Sequence, residues 1–241
     1  VRSATALLPG WAGTALRAEL GARLGLPVVA DNDVNAFALA EQRFGAGVGH
    51  RAVLYVSVGT GIGGALVLDG ALYRGAHFTA GELGHLAVPE AAGRPCNCGR
   101  VGHLEAVAAG PALSARYGEL TGTRDVSATD VRVVAARAAD GDAHAARVIA
   151  AGAAALGRAL GGLVNTLDVE RVVVGGGVLG VGDRYWRPLT EAFAAELLPG
   201  PSGVRPVRAA LGPRSAVVGA AALLLEEGPP DASPDSSTDT R

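Results

Sequence analysis

The stretch Val28-Val29-Ala30-Asp31-Asn32-Asp33-Val34-Asn35-Ala36 constrains the fold of this chain more than any other. An apolar run with two β-branched residues breaks into three adjacent polar ones. An alanine- and leucine-rich segment, Ala36 to Phe44, follows at helical spacing. The pattern predicts a strand over 28–30 running into a helix, with Asp31, Asn32 and Asp33 at the junction. Open α/β sheets place ligands at the carboxyl ends of strands. A helix cap also asks for Asn or Asp here, because the first N–H groups of a helix have no intrahelical partner. One acidic residue is enough for a cap. Three polar residues with Asn35 behind them fit a binding site equally well.

The other elements agree with an α/β reading. Thr14 to Leu24 has helical spacing and Gly25 follows as a stop. Arg51 to Val58 reads as a strand, running into Gly59-Thr60-Gly61-Ile62-Gly63-Gly64 and a second strand over Ala65 to Leu68, with a turn at Asp69-Gly70. A glycine-rich crown can offer several backbone N–H groups to a phosphate, or can be a tight turn and nothing more. Residues 103–118 and 128–164 are helical in pattern, and glycines at 157, 161 and 162 would let helices approach closely. Arg171 to Gly180 predicts a buried strand ending in Gly175-Gly176-Gly177, where a flat ligand can lie against bare backbone. A helix over 184–197, a strand over Val204 to Leu211 and an apolar helix from Ser215 to Glu227 complete the pattern. Residues 228–241 read as a disordered tail.

Cys96, Cys98 and His103 share one glycine-rich segment, and His85 lies one loop earlier. Thiolate and imidazole are the preferred zinc ligands, and two of each would neutralise the ion. Buried free cysteines and surface histidines are the plainer alternative. Cys96 and Cys98 are the only cysteines, which excludes a disulfide framework and points to a reducing cytoplasm. Net charge is −2, so no broad electrostatic case exists for nucleic acid. No uninterrupted apolar run is long enough to cross a bilayer, and no signal peptide opens the chain. Every basic side chain is Arg, which removes lysine Schiff-base chemistry and the Walker A loop. The chain also has no Met and begins at Val1, which points to a fragment, a processed form or a start-site artefact.

Asn32-Asp33-Val34-Asn35-Ala36, the Gly59–Gly64 turn, Glu82-x-Gly84-His85 and Cys96-x-Cys98-Gly99-x-x-Gly102-His103-x-Glu105 occur in the order and spacing of the ROK family (repressors, open reading frames, kinases). The resemblance covers about residues 1–227. It implies an α/β, actin/hexokinase-like (ribonuclease-H-like) two-lobed fold and ATP-dependent phosphorylation of a hexose, glucose being the commonest. By the same resemblance Asp33 is the catalytic base, and Asn32, Glu82, His85 and Glu105 bind sugar hydroxyls. Thr60 and Gly61 meet the nucleotide phosphates, and Gly175, Gly176 and Gly177 the adenosine. His85, Cys96 and Cys98 match the family's zinc ligands. His103 stands where the family has a third cysteine, and the zinc would be structural. Mg²⁺ would arrive with ATP. The family's Asp-x-Gly-Gly-Thr phosphate segment does not occur in the 241 residues, so the N-terminal lobe is expected to be incomplete. The expected division is a remnant of that lobe over 1–47, a C-terminal ribonuclease-H-like lobe with the zinc loop over 48–213, a closing helix over 214–227 and the tail. The expected partners are a small sugar, a nucleotide and a second copy of the chain in a homodimer, with no nucleic acid and no membrane. A sugar-sensing regulator and a catalytically dead sugar-binding module are the competing readings.

Overall fold

Runs of β-branched residues bury well on both faces of a sheet, and two such runs lie at its centre. The computed structural model describes residues 9–122 and 130–227; the expected tail lies outside them. In chain order the elements are α1 (Leu16–Leu24), α2 (Asp33–Phe44), β1 (Val53–Val58), β2 (Ile62–Leu68), β3 (Ala71–Tyr73), α3 (Glu105–Ala108), α4 (Gly110–Thr121), α5 (Val131–Ala139), α6 (Ala143–Leu167), β4 (Arg171–Gly175), α7 (Asp183–Glu196), β5 (Pro206–Arg208) and α8 (Ser215–Glu227). The sheet order is β3-β2-β1-β4-β5. β1, β2 and β3 run antiparallel as a meander, while β4 lies parallel to β1 and β5 parallel to β4.

Alternation along the strands divides the core in two. Leu54, Val56 and Val58 of β1 and Val172 and Val174 of β4 join Leu113, Ile149, Leu156, Leu189 and Phe193 on one face. Val53, Tyr55 and Val173 meet Phe37 and Leu39 of α2 and Leu223 of α8 on the other. The sheet is therefore the middle of three layers. α6 is long and apolar enough to cross a membrane by composition, yet it packs against α7 and its inner residues, among them Leu156 and Leu160, are wholly buried. A Cβ on Gly157 would lie 2.2 Å from the Leu189 carbonyl oxygen, and one on Gly161 would lie 2.9 Å from that of Phe193. Those two glycines do serve close helix approach; Gly162 has nothing within 4 Å and does not.

Several boundaries differ from expectation. Residues 28–30 form no strand: among the described residues no neighbour offers them a ladder, so the β-branched pair runs as an extended connector. β2 begins at Ile62, so the turn contracts to Gly59-Thr60-Gly61, and Gly63 and Gly64 pair with Ser57 and Val56. The helix expected over 103–118 breaks at Ala109, whose extended backbone (ψ 157°) separates α3 from α4. β3 was not expected, and β5 is confined to three residues.

Candidate active site

The tip of α2 is built by its polar residues. The Asn32 side chain accepts from the N–H groups of Val34 (2.8 Å) and Asn35 (3.4 Å) and caps the helix. Asp33 is the first helical residue, where the positive end of the helix dipole favours a carboxylate. Asp31 sits behind them as an organiser. Its Oδ1 accepts from the Asn32 N–H and from Asn35 Nδ2, each at 2.7 Å, and its Oδ2 accepts from Arg74 Nε at 2.7 Å. The polar cluster is thus both a cap and a constructed corner, and Asp33 and Asn32 remain exposed on it.

β2 brings a second corner alongside. A Cβ on Gly63 would lie 2.6 Å from Val34 Cγ2, so the start of β2 lies flush against the first turn of α2. The Ile62 N–H donates to Glu105 Oε2 at 2.9 Å, and a Cβ on Gly61 would lie 2.5 Å from that same oxygen. A Cβ on Gly84 would strike the Ile62 carbonyl at 2.1 Å. The Glu82–His85 turn and Glu105 therefore converge on residues 61–64, next to the α2 tip.

His85, Cys96, Cys98 and His103 place one ligand atom each within 4.8 Å of one another. His85 Nδ1 lies 3.6 Å from Cys96 Sγ and His103 Nδ1 3.2 Å from Cys98 Sγ. Tetrahedral zinc with bonds of ~2.0–2.3 Å sets ligand edges of roughly 3.3–3.8 Å; the two His–Cys pairs lie near that edge, and the four atoms, within 4.8 Å, are zinc-type donors. The loop is knitted by the Cys96 N–H to Arg100 carbonyl bond (2.7 Å) and by the bridge pairing Ala87 with His103. Burial pushes the Cys96 thiol above its ordinary pKa, and the Glu105 carboxylate adds to the effect. A cation in the cluster would reverse that preference. The other ring nitrogen of His85 lies 3.7 Å from Glu82 Oε2, so this imidazole faces the cysteines on one side and the Glu82 corner on the other.

A cleft of about 430 Å³ opens at the ends of β1, β4 and β5. Asp33 stands at its rim, Gly175, Gly176 and Gly177 line it, and Ser57, Phe37, Arg208 and Ser215 are among its other lining residues. Gly176 has φ +97°, and a Cβ there would lie 2.3 Å from the Val58 carbonyl oxygen. A Cβ on Gly175 would meet the Phe37 ring at 2.8 Å. Gly176 is set by the Val58 backbone and Gly175 by the Phe37 ring and the Ala209 side chain, and the bare surface they leave is a consequence of that packing.

The ROK family profile matches residues 4–227. The chain belongs to the ROK family. It is 36% identical over 238 residues to the glucokinase of Halalkalibacterium halodurans, a match covering 90% of this chain and 69% of that one. Among solved structures it resembles the ROK hexokinase of Thermus thermophilus (TM-score 0.82, 37% identity, covering 95% of this chain and 75% of that one). It also resembles the ROK glucokinase of Streptomyces griseus in complex with glucose and AMPPNP (TM-score 0.78, 32% identity, covering 91% and 76%). The mixed sheet is that of the actin/hexokinase-like class.

In this ROK protein the expected residues fall into two groups. Asp33 and the triple glycine share the cleft. Glu82, His85 and Glu105 gather with the cysteines, and Glu105 meets the glycine turn; Thr60 and Gly61 lie at that turn and not in the cleft lining. Sequence reasoning passed over Ser57, Phe37, Arg208, Ser215 and Arg74. Ser57 had a signal, as a polar residue inside an apolar strand. Phe37 had one too, lying one helical turn from Asp33 on the same face. Arg74, half-buried with its Nη2 lacking a partner among the described residues, had none.

Proposed function

We infer that this protein is an ATP-dependent hexose kinase, with glucose its best substrate and Asp33 its general base. The observation that carries the reading is the position of Asp33. It stands at the tip of α2, on the rim of a glycine-floored cleft and beside the corner reached by Glu82, His85 and Glu105. Phosphoryl transfer depends on positioning and charge neutralisation more than on covalent steps. A carboxylate at the junction of a sugar corner and a nucleotide cleft can accept the hydroxyl proton as the new P–O bond forms. Asn32, Glu82, His85 and Glu105 would orient the sugar so that one hydroxyl faces the phosphate. Gly175 to Gly177 would lie along the adenosine, and Thr60 and Gly61 would offer backbone donors to the phosphates. Mg²⁺ would be held by phosphate oxygens and water.

His85, Cys96, Cys98 and His103 would hold a structural zinc, whose role is to fix the loop that presents Glu82, His85 and Glu105. The two-lobed division expected at residue 47, a cytoplasmic location and a homodimer belong to the same proposal. α1 buries no residue of its own, and Leu20 and Leu24 on it and Leu26 just after it are exposed, which favours a covering partner.

The deciding experiment is Asp33→Asn in a coupled assay with ATP and glucose. Turnover should fall by about a thousandfold or more, since general-base contributions reach ~10²–10⁴. Glucose affinity, read separately by calorimetry, should change little. Equal loss of affinity and turnover would remove Asp33 from the role of base.

A further inference from the structure

Glu41 lies on α2 two turns beyond Asp33 and is completely buried. A carboxylate in that position is costly unless donors surround it. Its Oε2 accepts from the N–H groups of Ala46 and Ala210, each at 2.9 Å. Its Oε1 accepts from the Leu211 N–H at 2.8 Å and lies 3.1 Å from Ser215 Oγ. The serine proton is shared, because the Gly212 carbonyl lies 2.8 Å from the same hydroxyl. Three of these donors come from residues 210–215, distant in sequence from α2. The same segment supplies Gly212, Pro213 and Ser215 to the cleft, and its flanking residues Ala209 and Ala216 line it too.

We propose that Glu41 is a positioning residue for the nucleotide: one buried carboxylate ties the helix that carries Asp33 to the opposite wall of the cleft. The inference rests on the reading of that cleft as the nucleotide site. Among the described residues no backbone ladder reaches past β5 to do this work, since its last pairing joins Arg208 to Val174 and only the Ala209 N–H to Val174 carbonyl bond follows. Beyond Ala209, the amides at 210 and 211 have Glu41 as their acceptor. The carboxylate is needed in its acceptor-only form. A glutamine amide must turn its NH₂ towards one pair of donors. Facing Ala46 and Ala210 it would meet two N–H groups. Facing Leu211 and Ser215 it would find the hydroxyl as acceptor but would orphan the Leu211 N–H.

The test is Glu41→Gln in the full chain, with calorimetric titration of AMPPNP and, separately, of glucose. AMPPNP affinity should fall about tenfold, the order expected when one buried donor loses its partner, while glucose affinity stays within about twofold. Unchanged AMPPNP affinity in a folded Glu41→Gln protein would overturn the inference and leave the kinase reading intact, as would equal weakening of both ligands. Absence of AMPPNP binding by the parent protein would overturn the kinase reading and this inference with it. If Glu41→Gln does not fold, amide exchange in the parent protein decides. Slow exchange at Ala210 and Leu211 without nucleotide is expected, and exchange as fast as an open loop would overturn the assignment.

Discussion

Two adjacent glycines in the cleft show how differently neighbouring residues are constrained. Gly176 combines a backbone region open almost only to glycine (φ +97°, ψ 162°) with carbonyl and amide atoms of Val58 where a Cβ would stand. Gly177, one residue on, has nothing within 4 Å of the point a Cβ would occupy. Gly176→Ala should cost about 2–4 kcal/mol in chemical denaturation. Gly177→Ala should change stability by less than about 0.5 kcal/mol. A fall in AMPPNP affinity in Gly177→Ala without loss of stability would locate the nucleotide against that residue. Unchanged affinity would place it elsewhere. Glycine identity in the sequence did not distinguish the two, because the difference lies in what β1 places beside one of them.

At the scale of elements, the placement of Asp33 depends on how α2 is held. α2 lies across one face of the sheet and packs against α8. A Cβ on Gly219 of α8 would sit 1.7 Å from the Ala36 carbonyl oxygen, so the helices meet backbone to backbone near the first turn of α2. Gly219→Ala must push them apart. A loss of about 2–3 kcal/mol is expected in denaturation, the scale of overpacking in a tight core, with a parallel loss of turnover because the α2 tip moves. Val217→Ala on the exposed face of α8 is the control and should leave both unchanged, since Val217 is 74% exposed. Helix α2 was legible from its cap and spacing. The expected strand before it was not a strand, because β-branched residues define only a propensity and a ladder needs a neighbour.

For the whole molecule, the corner of Glu82, His85 and Glu105 with its His/Cys cluster stands apart from the glycine-floored cleft; under the proposed function the first takes the sugar and the second the nucleotide. The two ends should respond differently to metal removal. Chelation after brief unfolding, or Cys96→Ala, should abolish zinc detected by elemental analysis and lower the thermal midpoint. Glucose affinity should fall at least tenfold, and AMPPNP affinity should stay within about threefold. Equal loss at both ends would mean that the loop stabilises the fold as a whole. Loss at neither would leave the four residues without a metal role.

The chemistry of the parts was already written in the order of residues. Spacing located the cap, the two central strands, the glycine turns and the four metal-competent side chains, because each is encoded by residues close together in the chain. Which of those parts share a site was settled by packing in three dimensions. The fold set Asp33 and Gly175 in one cleft, and it bound Glu41 to amides 169 and 170 residues away. Such pairings arise from the order in which strands are laid into a sheet and from helices closing over it. Local periodicity carries no record of either.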